Sequence, residues 1–255
     1  MSDRKETVAR LFWKFGYLSV NELELIFGSA ISRRQLNRYL VQLAKKGRIE
    51  RRIHPSRYVF AYEATPKILL ETSRKPIKTF QRQNGREIGH RIACANALVN
   101  LCRRSKVQGV TIEHELSPSD LKEFCIGRIP DGIVQIAGLT SDPIEFAVEV
   151  ENSLKTRARI KEILDGYERT LESKRHRCRG LIVFATEEGI LKQYENLIAD
   201  YPESFRKKVI LARGTSTQDI AISVLGEPCA SAFGNRHLPC LSRRSSRHGA
   251  IEYLQ

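Results

Sequence analysis

Three acidic residues near the middle of the chain have the types and spacing to hold a divalent cation, and a lysine follows them. They lie in two segments, RIPDGIVQI at 128–136 and PIEFAVEVENSLK at 143–155. Asp131 follows a proline at the start of one β-prone run. Glu149 and Glu151 are two apart in the next run, so on a strand both side chains leave the same face. A hairpin turning near residue 140 sets Asp131 opposite Glu149, with Cβ atoms about 4.5–5.5 Å apart. Carboxylates that close repel one another unless a cation offsets the repulsion, and their hard oxygens suit Mg2+ or Mn2+. Lys155, four residues after Glu151, falls in the first turn of an expected helix. There it could place a positive charge beside a phosphate or help deprotonate an attacking water. A half-exposed strand of alternating glutamates beside an ordinary surface lysine is the blander alternative. The Pro-Asp step on the neighbouring run and the lysine beyond argue against it.

The elements that must position these residues follow from hydrophobic patterning. Strands are expected at 110–116, 129–136, 144–151, 181–185 and 209–212. Helices are expected at 85–104, 154–173 and 187–200, the first with Ile88, Ile92, Ala95, Leu98, Val99 and Leu101 on its buried side. Strands alternating with helices predict a mixed α/β sheet. The helix from 154 carries Lys155, Arg157, Arg159, Lys161 and Arg169, which could line a polyanion's path unless Glu162 and Glu168 pair with them.

The first quarter of the chain has a different character. The 255 residues include 43 Lys and Arg against 29 Asp and Glu, a formal charge of +14. Residues 1–75 alone hold 16 basic and 7 acidic side chains, so over half of the excess sits in under a third of the chain. Val8, Leu11, Phe12 and Phe15 repeat at helical spacing before Gly16. Ser19 and Glu22 form a capping-box pattern ahead of Leu23, Ile26 and Phe27. Ser32 caps a third helix with Leu36, Tyr39, Leu40 and Leu43 inward, stopped by Gly47. Two β-prone runs, 48–53 and 58–62, flank a turn at His54-Pro55-Ser56. Three helices and a hairpin predict a winged helix-turn-helix, whose third helix enters the major groove of DNA. Its outward residues Arg33, Arg34, Gln35, Asn37 and Arg38 suit base edges and phosphates. Arg51, Arg52 and Arg57 on the wing suit phosphates. A solvated basic surface on a protein-interaction module is the competing reading.

Other classes are disfavoured. No apolar run approaches the ~18 residues of a membrane span, and the N-terminal segment lacks the pattern of a secretory signal. The six cysteines form no CxxC pair and have no histidine at zinc-finger spacing, so reduced cytosolic thiols are expected.

Pro130-Asp131 followed by Glu149-x-Glu151 resembles the PD-(D/E)XK restriction-endonuclease-like superfamily, with Glu151 where the usual lysine would stand. With Lys155 added, the pattern is similar to the replication-relaxation family and its MOBC-type plasmid mobilisation relaxases. His90 with Asn96, in IGHRIACANAL, resembles a further recurrent feature of that family's long helix. The resemblance spans residues 5–190 and is strongest from Pro130 to Glu151. It implies an α+β protein in which a winged helix (1–64) and a linker (65–84) precede a restriction-endonuclease-like α/β domain with a mixed central sheet (85–215). A basic, loosely ordered tail (216–255) would follow. It further implies a metal-dependent, site- and strand-specific nick at a plasmid transfer origin in the bacterial cytoplasm. Asp131, Glu149 and Glu151 would ligate Mg2+ or Mn2+, Lys155 would face the phosphate, and Glu87 and His90 would border the site. Double-stranded and locally melted plasmid DNA is the implied partner, with a coupling ATPase and an accessory mobilisation protein. Tyr167, about 18 Å along the helix from Lys155, is too distant to be the expected nucleophile, which leaves water. Two other readings stay open: a non-catalytic winged-helix regulator with a degenerate nuclease fold, and a repair or restriction nuclease that cuts both strands as a dimer.

Overall fold

The computed structural model describes residues 2–53, 60–68, 85–102, 107–116, 129–137, 143–173, 177–213 and 221–224. They form an α+β protein of two units, one holding the described residues up to Asn100 and the other those from Leu101 onward.

In the first unit, α1 (Ser2–Phe15), α2 (Val20–Phe27) and α3 (Arg33–Lys45) bury Val8, Leu11, Phe12, Leu23, Leu36, Leu40 and Leu43. Both expected caps form. Ser19 accepts from the Asn21 N–H at 3.1 Å while Glu22 accepts from the Ser19 N–H at 2.6 Å. Ser32 accepts from the Gln35 N–H at 3.3 Å while Gln35 accepts from the Ser32 N–H at 3.1 Å. Gly16 (φ 72°) and Gly47 (φ 67°) end α1 and follow α3 in the left-handed region, where a Cβ is strained. A three-stranded antiparallel sheet follows in the order β1 (Tyr17–Ser19), β3 (Phe60–Ala64), β2 (Ile49–Ile53). The turn between β2 and β3, including Arg57, lies outside the described residues. Helix α4 (Gly85–Cys102) matches the expected long helix, but its residues up to Asn100 belong to the first unit and not to the second. Ile92 explains this by packing with Tyr17 and Ala61 of the small sheet.

The second unit is a mixed six-stranded sheet in simple sequential order: β4 (Val107–Ile112), β5 (Gly132–Ile136), β6 (Ile144–Glu151), β7 (Cys178–Ala185), β8 (Val209–Arg213) and β9 (Ala221–Val224). β4, β5 and β6 pair antiparallel, β6 to β8 pair parallel, and β9 returns antiparallel. The parallel pairs need crossovers, supplied by α5 (Arg157–Glu172) and by α6 (Glu188–Ile198) with the single turn α7 (Glu203–Arg206). One sheet face meets these helices: Ile133, Ala147, Leu181, Val183, Val209 and Leu211 pack with Ile160, Leu164, Tyr167, Ile190, Tyr194 and Ile198.

Three expectations change. Residues 221–224, assigned to the loose tail, form a strand against β8, because Ile222 and Val224 give the segment β propensity and β8 offers an open edge. The rest of that tail lies outside the described residues. The strand expected at 110–116 instead spans Val107–Ile112, and Glu113–Glu115 turn as a 3-10 helix. Helix α5 starts three residues later than expected, capped by the Thr156 hydroxyl, so Lys155 precedes the helix. Among the described residues no helix is long and apolar enough to cross a membrane.

Candidate functional site

Strand β6 turns the odd-numbered residues toward α5 and α6. Ala147 joins the helix-covered core, and Glu149 and Glu151 enter the same layer with only 1% of their surface exposed. The even-numbered Val148 and Val150 fill the opposite side and are equally buried. Each glutamate meets a tyrosine from a different helix. Glu149 accepts a short hydrogen bond from the Tyr167 hydroxyl of α5. Glu151 accepts from the Tyr194 hydroxyl of α6 at 2.6 Å. Lys155 reaches back to both Glu151 oxygens, at 2.6 Å to Oε1 and 2.5 Å to Oε2.

The β5–β6 ladder has the expected hairpin register and ends at the pair Gly132 and Val148, with Asp131 the residue just before it. Its half-buried carboxylate accepts the Val150 N–H at 2.7 Å. β6 runs past the end of β5 there, so the aspartate takes the place of the missing strand partner. Asp131, Glu149 and Glu151 do not bring one oxygen each to within 4.8 Å of one another. Their donors differ in direction: a strand amide for Asp131, α5 for Glu149, α6 and Lys155 for Glu151. The structure therefore joins Glu149 with Tyr167, and Glu151 with Tyr194 and Lys155.

The two tyrosines are the residues that sequence reasoning missed in this role. Tyr167 was measured by its rise along the helix from Lys155, which says nothing of where α5 passes over the sheet. The helix doubles back above β6, and a helical side chain leans toward the helix N-terminus, which carries the hydroxyl to Glu149. Tyr194 offered only its place on the apolar stripe of α6. Of the border residues, the Glu87 side chain lies outside the described residues. His90 is half-buried on α4 with Nε2 3.4 Å from the Cys94 sulfur one turn away.

Two of the cations expected on α5 are paired. Arg157 pairs with Asp200 at 3.2 Å and Arg159 with Glu162 at 2.5 Å. In the first unit Arg33, Arg34, Asn37, Arg38, Arg51 and Arg52 are all exposed. Arg33 bonds Glu24 at 2.5 Å and Asn21 at 3.2 Å. Arg52 bonds Glu63 at 2.8 Å and Glu50 at 3.0 Å. Glu63 also accepts from the Tyr17 hydroxyl at 2.6 Å, and burial together with that acceptor pushes the Tyr17 phenol well above its ordinary range. Gln35, expected to face outward to bases, is spent on the α3 cap. Arg48, unnoticed in the sequence, is buried in a two-pronged pair with Glu6 at 3.1 and 3.2 Å.

Comparison of the chain with family models, with curated proteins and with solved structures finds no match. The geometry defines an α+β chain with an exposed basic helix in one unit and buried acids on a strand of the other.

Proposed function

We propose that this chain is a metal-dependent DNA nicking endonuclease of the MOBC relaxase type, acting at a plasmid transfer origin. On this reading the first unit is a winged helix that lays α3 in the major groove. The second is a restriction-endonuclease-like domain, and the coupling ATPase, accessory mobilisation protein and bacterial cytoplasm are the implied setting.

One observation carries the proposal: two glutamates are almost fully buried side by side on one face of β6, with Asp131 across from them and Lys155 on Glu151. Desolvating a carboxylate costs several kcal/mol in practice. Folding alone would favour apolar residues at 149 and 151, like Ala147 two residues earlier. Acids kept at such a cost are candidates for chemistry.

All three candidate ligands are carboxylates, the hard oxygen donors that Mg2+ or Mn2+ takes. Glu149 and Glu151 share one face of β6, and joining them on one ion would require Asp131 to release the Val150 N–H. Asp131, Glu149 and Glu151 would hold the ion, which when bound would acidify a water and offset charge on the phosphate. Tyr167 and Tyr194 orient two of the carboxylates, and Lys155 supplies a cation beside them. Tyr167 is buried and hydrogen-bonded, which keeps water as the proposed nucleophile.

The test is nicking of supercoiled origin plasmid in Mn2+ or Mg2+. Asp131→Ala and Glu149→Ala are expected to abolish conversion to open circles while origin binding persists. Nicking by both variants would remove the proposed site. The regulator reading draws on a specific feature, the satisfaction of Glu151 by Lys155 and Tyr194 within the fold. Calorimetry with Mn2+ separates the two, since a regulator gives no carboxylate-dependent heat.

A further inference from the structure

Helix α3 carries an apolar side chain outside its buried face. Leu36, Leu40 and Leu43 form its buried face, yet Val41 is 50% exposed. At about 100° per residue, Val41 lies on the side away from those leucines, between Asn37 and Arg34. Lys45 and Arg38 complete the stripe, and Asn37, Arg34, Arg38 and Lys45 are all exposed. A β-branched residue is a poor choice for an exposed helix position, where lysine or glutamate would favour the helix more. Here it is set centrally in an otherwise polar and basic surface.

Such a stripe is complementary to the floor of the major groove. Guanidinium groups match phosphates or a guanine edge, a carboxamide matches adenine, and an exposed aliphatic group matches the one apolar feature there, the C5-methyl of thymine. We propose that Val41 is a specificity-determining residue that packs on a thymine methyl group in the bound duplex, with Asn37, Arg34 and Arg38 setting the helix in the groove around it. This rests on the reading of the first unit as a DNA-binding module and is independent of any cleavage by the second.

The experiment starts with selection of bound duplexes from a random pool by the full chain. Each thymine of the enriched site is then replaced in turn by deoxyuridine, which removes only the methyl group. The expected result is one position at which the wild-type chain loses about fourfold in affinity, the weight of one buried methyl group. Val41→Ala is expected to bind thymine and uracil alike there while keeping its preference elsewhere in the site. An enriched site at which no uracil replacement matters overturns the assignment of Val41 and leaves the DNA-binding reading intact. The same holds if Val41→Ala retains the full uracil penalty, or if Val41 proves to matter only for self-association in sedimentation. Absence of duplex binding overturns both.

Discussion

Glu149 and Tyr167 form a pair whose two partners arrive from a strand and a helix, and what that pair is for can be tested by removing both. Truncating one member leaves a buried polar group short of a partner, at about 1–3 kcal/mol. Tyr194→Phe is accordingly expected to lower stability by about 1–2 kcal/mol in thermal unfolding, with Lys155 still holding Glu151. Replacing both members by apolar groups behaves differently, since the desolvation cost disappears with the charge. Glu149→Leu with Tyr167→Phe is expected to be neutral or stabilising in denaturant unfolding and to lose metal-dependent nicking. A double variant that unfolds would identify the pair as a structural element. The shared face of Glu149 and Glu151 was legible in the sequence because alternation on a strand is a local rule, whereas the turn of Asp131 to the Val150 amide was not, because it depends on where β5 ends. Tyr167 and Tyr194 were not legible as partners of the two glutamates, because that depends on how two helices cross the sheet.

Between elements, close approaches set the limits. Gly180 on β7 sits beside Phe146 of β6, and a Cβ there would meet the Phe146 ring and lie 2.9 Å from the Lys208 carbonyl oxygen. Backbone cannot swing aside as a side-chain tip can, so Gly180→Ala is expected to cost about 1–3 kcal/mol, read as a lower denaturant midpoint. In the first unit, Glu6 of α1 ties to Arg48 just before β2. The Arg48 hydrogen bonds, ahead of a smaller opposing effect of burial, hold the Glu6 carboxyl below its usual range. A depressed carboxylate pKa contributes stability above the unfolded-state value, about 4.3, and loses it as pH falls through the lower folded value. Glu6→Gln should therefore cost about 1 kcal/mol at neutral pH, after allowing for the exposed side of Glu6. The difference from wild type should vanish below that acidic window in pH-dependent unfolding. The helices of this unit were readable from their caps and stripes at Ser19, Ser32 and Gly47. Strands β1 and β9 were not, since three or four residues acquire strand geometry from the neighbour they pair with rather than from a pattern of their own. The start of α5 moved because two residues could cap it: Ser153 suits the earlier start as well as Thr156 suits the later one, and the Thr156 hydroxyl is the one that takes the Arg159 N–H.

At the scale of the whole molecule, the charge of +14 suggests polyanion binding but does not say which cations take part. The ion pairs make that division. Arg33 is engaged by Glu24, and Arg52 by Glu63 and Glu50, so reaching a phosphate would require each to leave a carboxylate. The Arg52 guanidinium is correspondingly held above its ordinary pKa by its hydrogen bond to Glu63. Arg34 and Arg38 stand exposed on the α3 face that carries Val41. Each phosphate contact releases condensed counterions and steepens the fall of log affinity with log salt by about 0.9. Arg34→Ala with Arg38→Ala is expected to flatten that slope by as much as about 1.8 if both arginines bind phosphates. A smaller change together with lost preference at one base pair would assign one of them to a guanine edge. Arg33→Ala with Arg52→Ala should leave the slope nearly unchanged and lower stability slightly instead. Fluorescence titrations of a labelled duplex over a range of salt concentrations measure all three chains. Equal slopes in the two double variants would mean that the ion pairs open on binding, and the basic surface would then act as a diffuse field and not as a set of placed contacts.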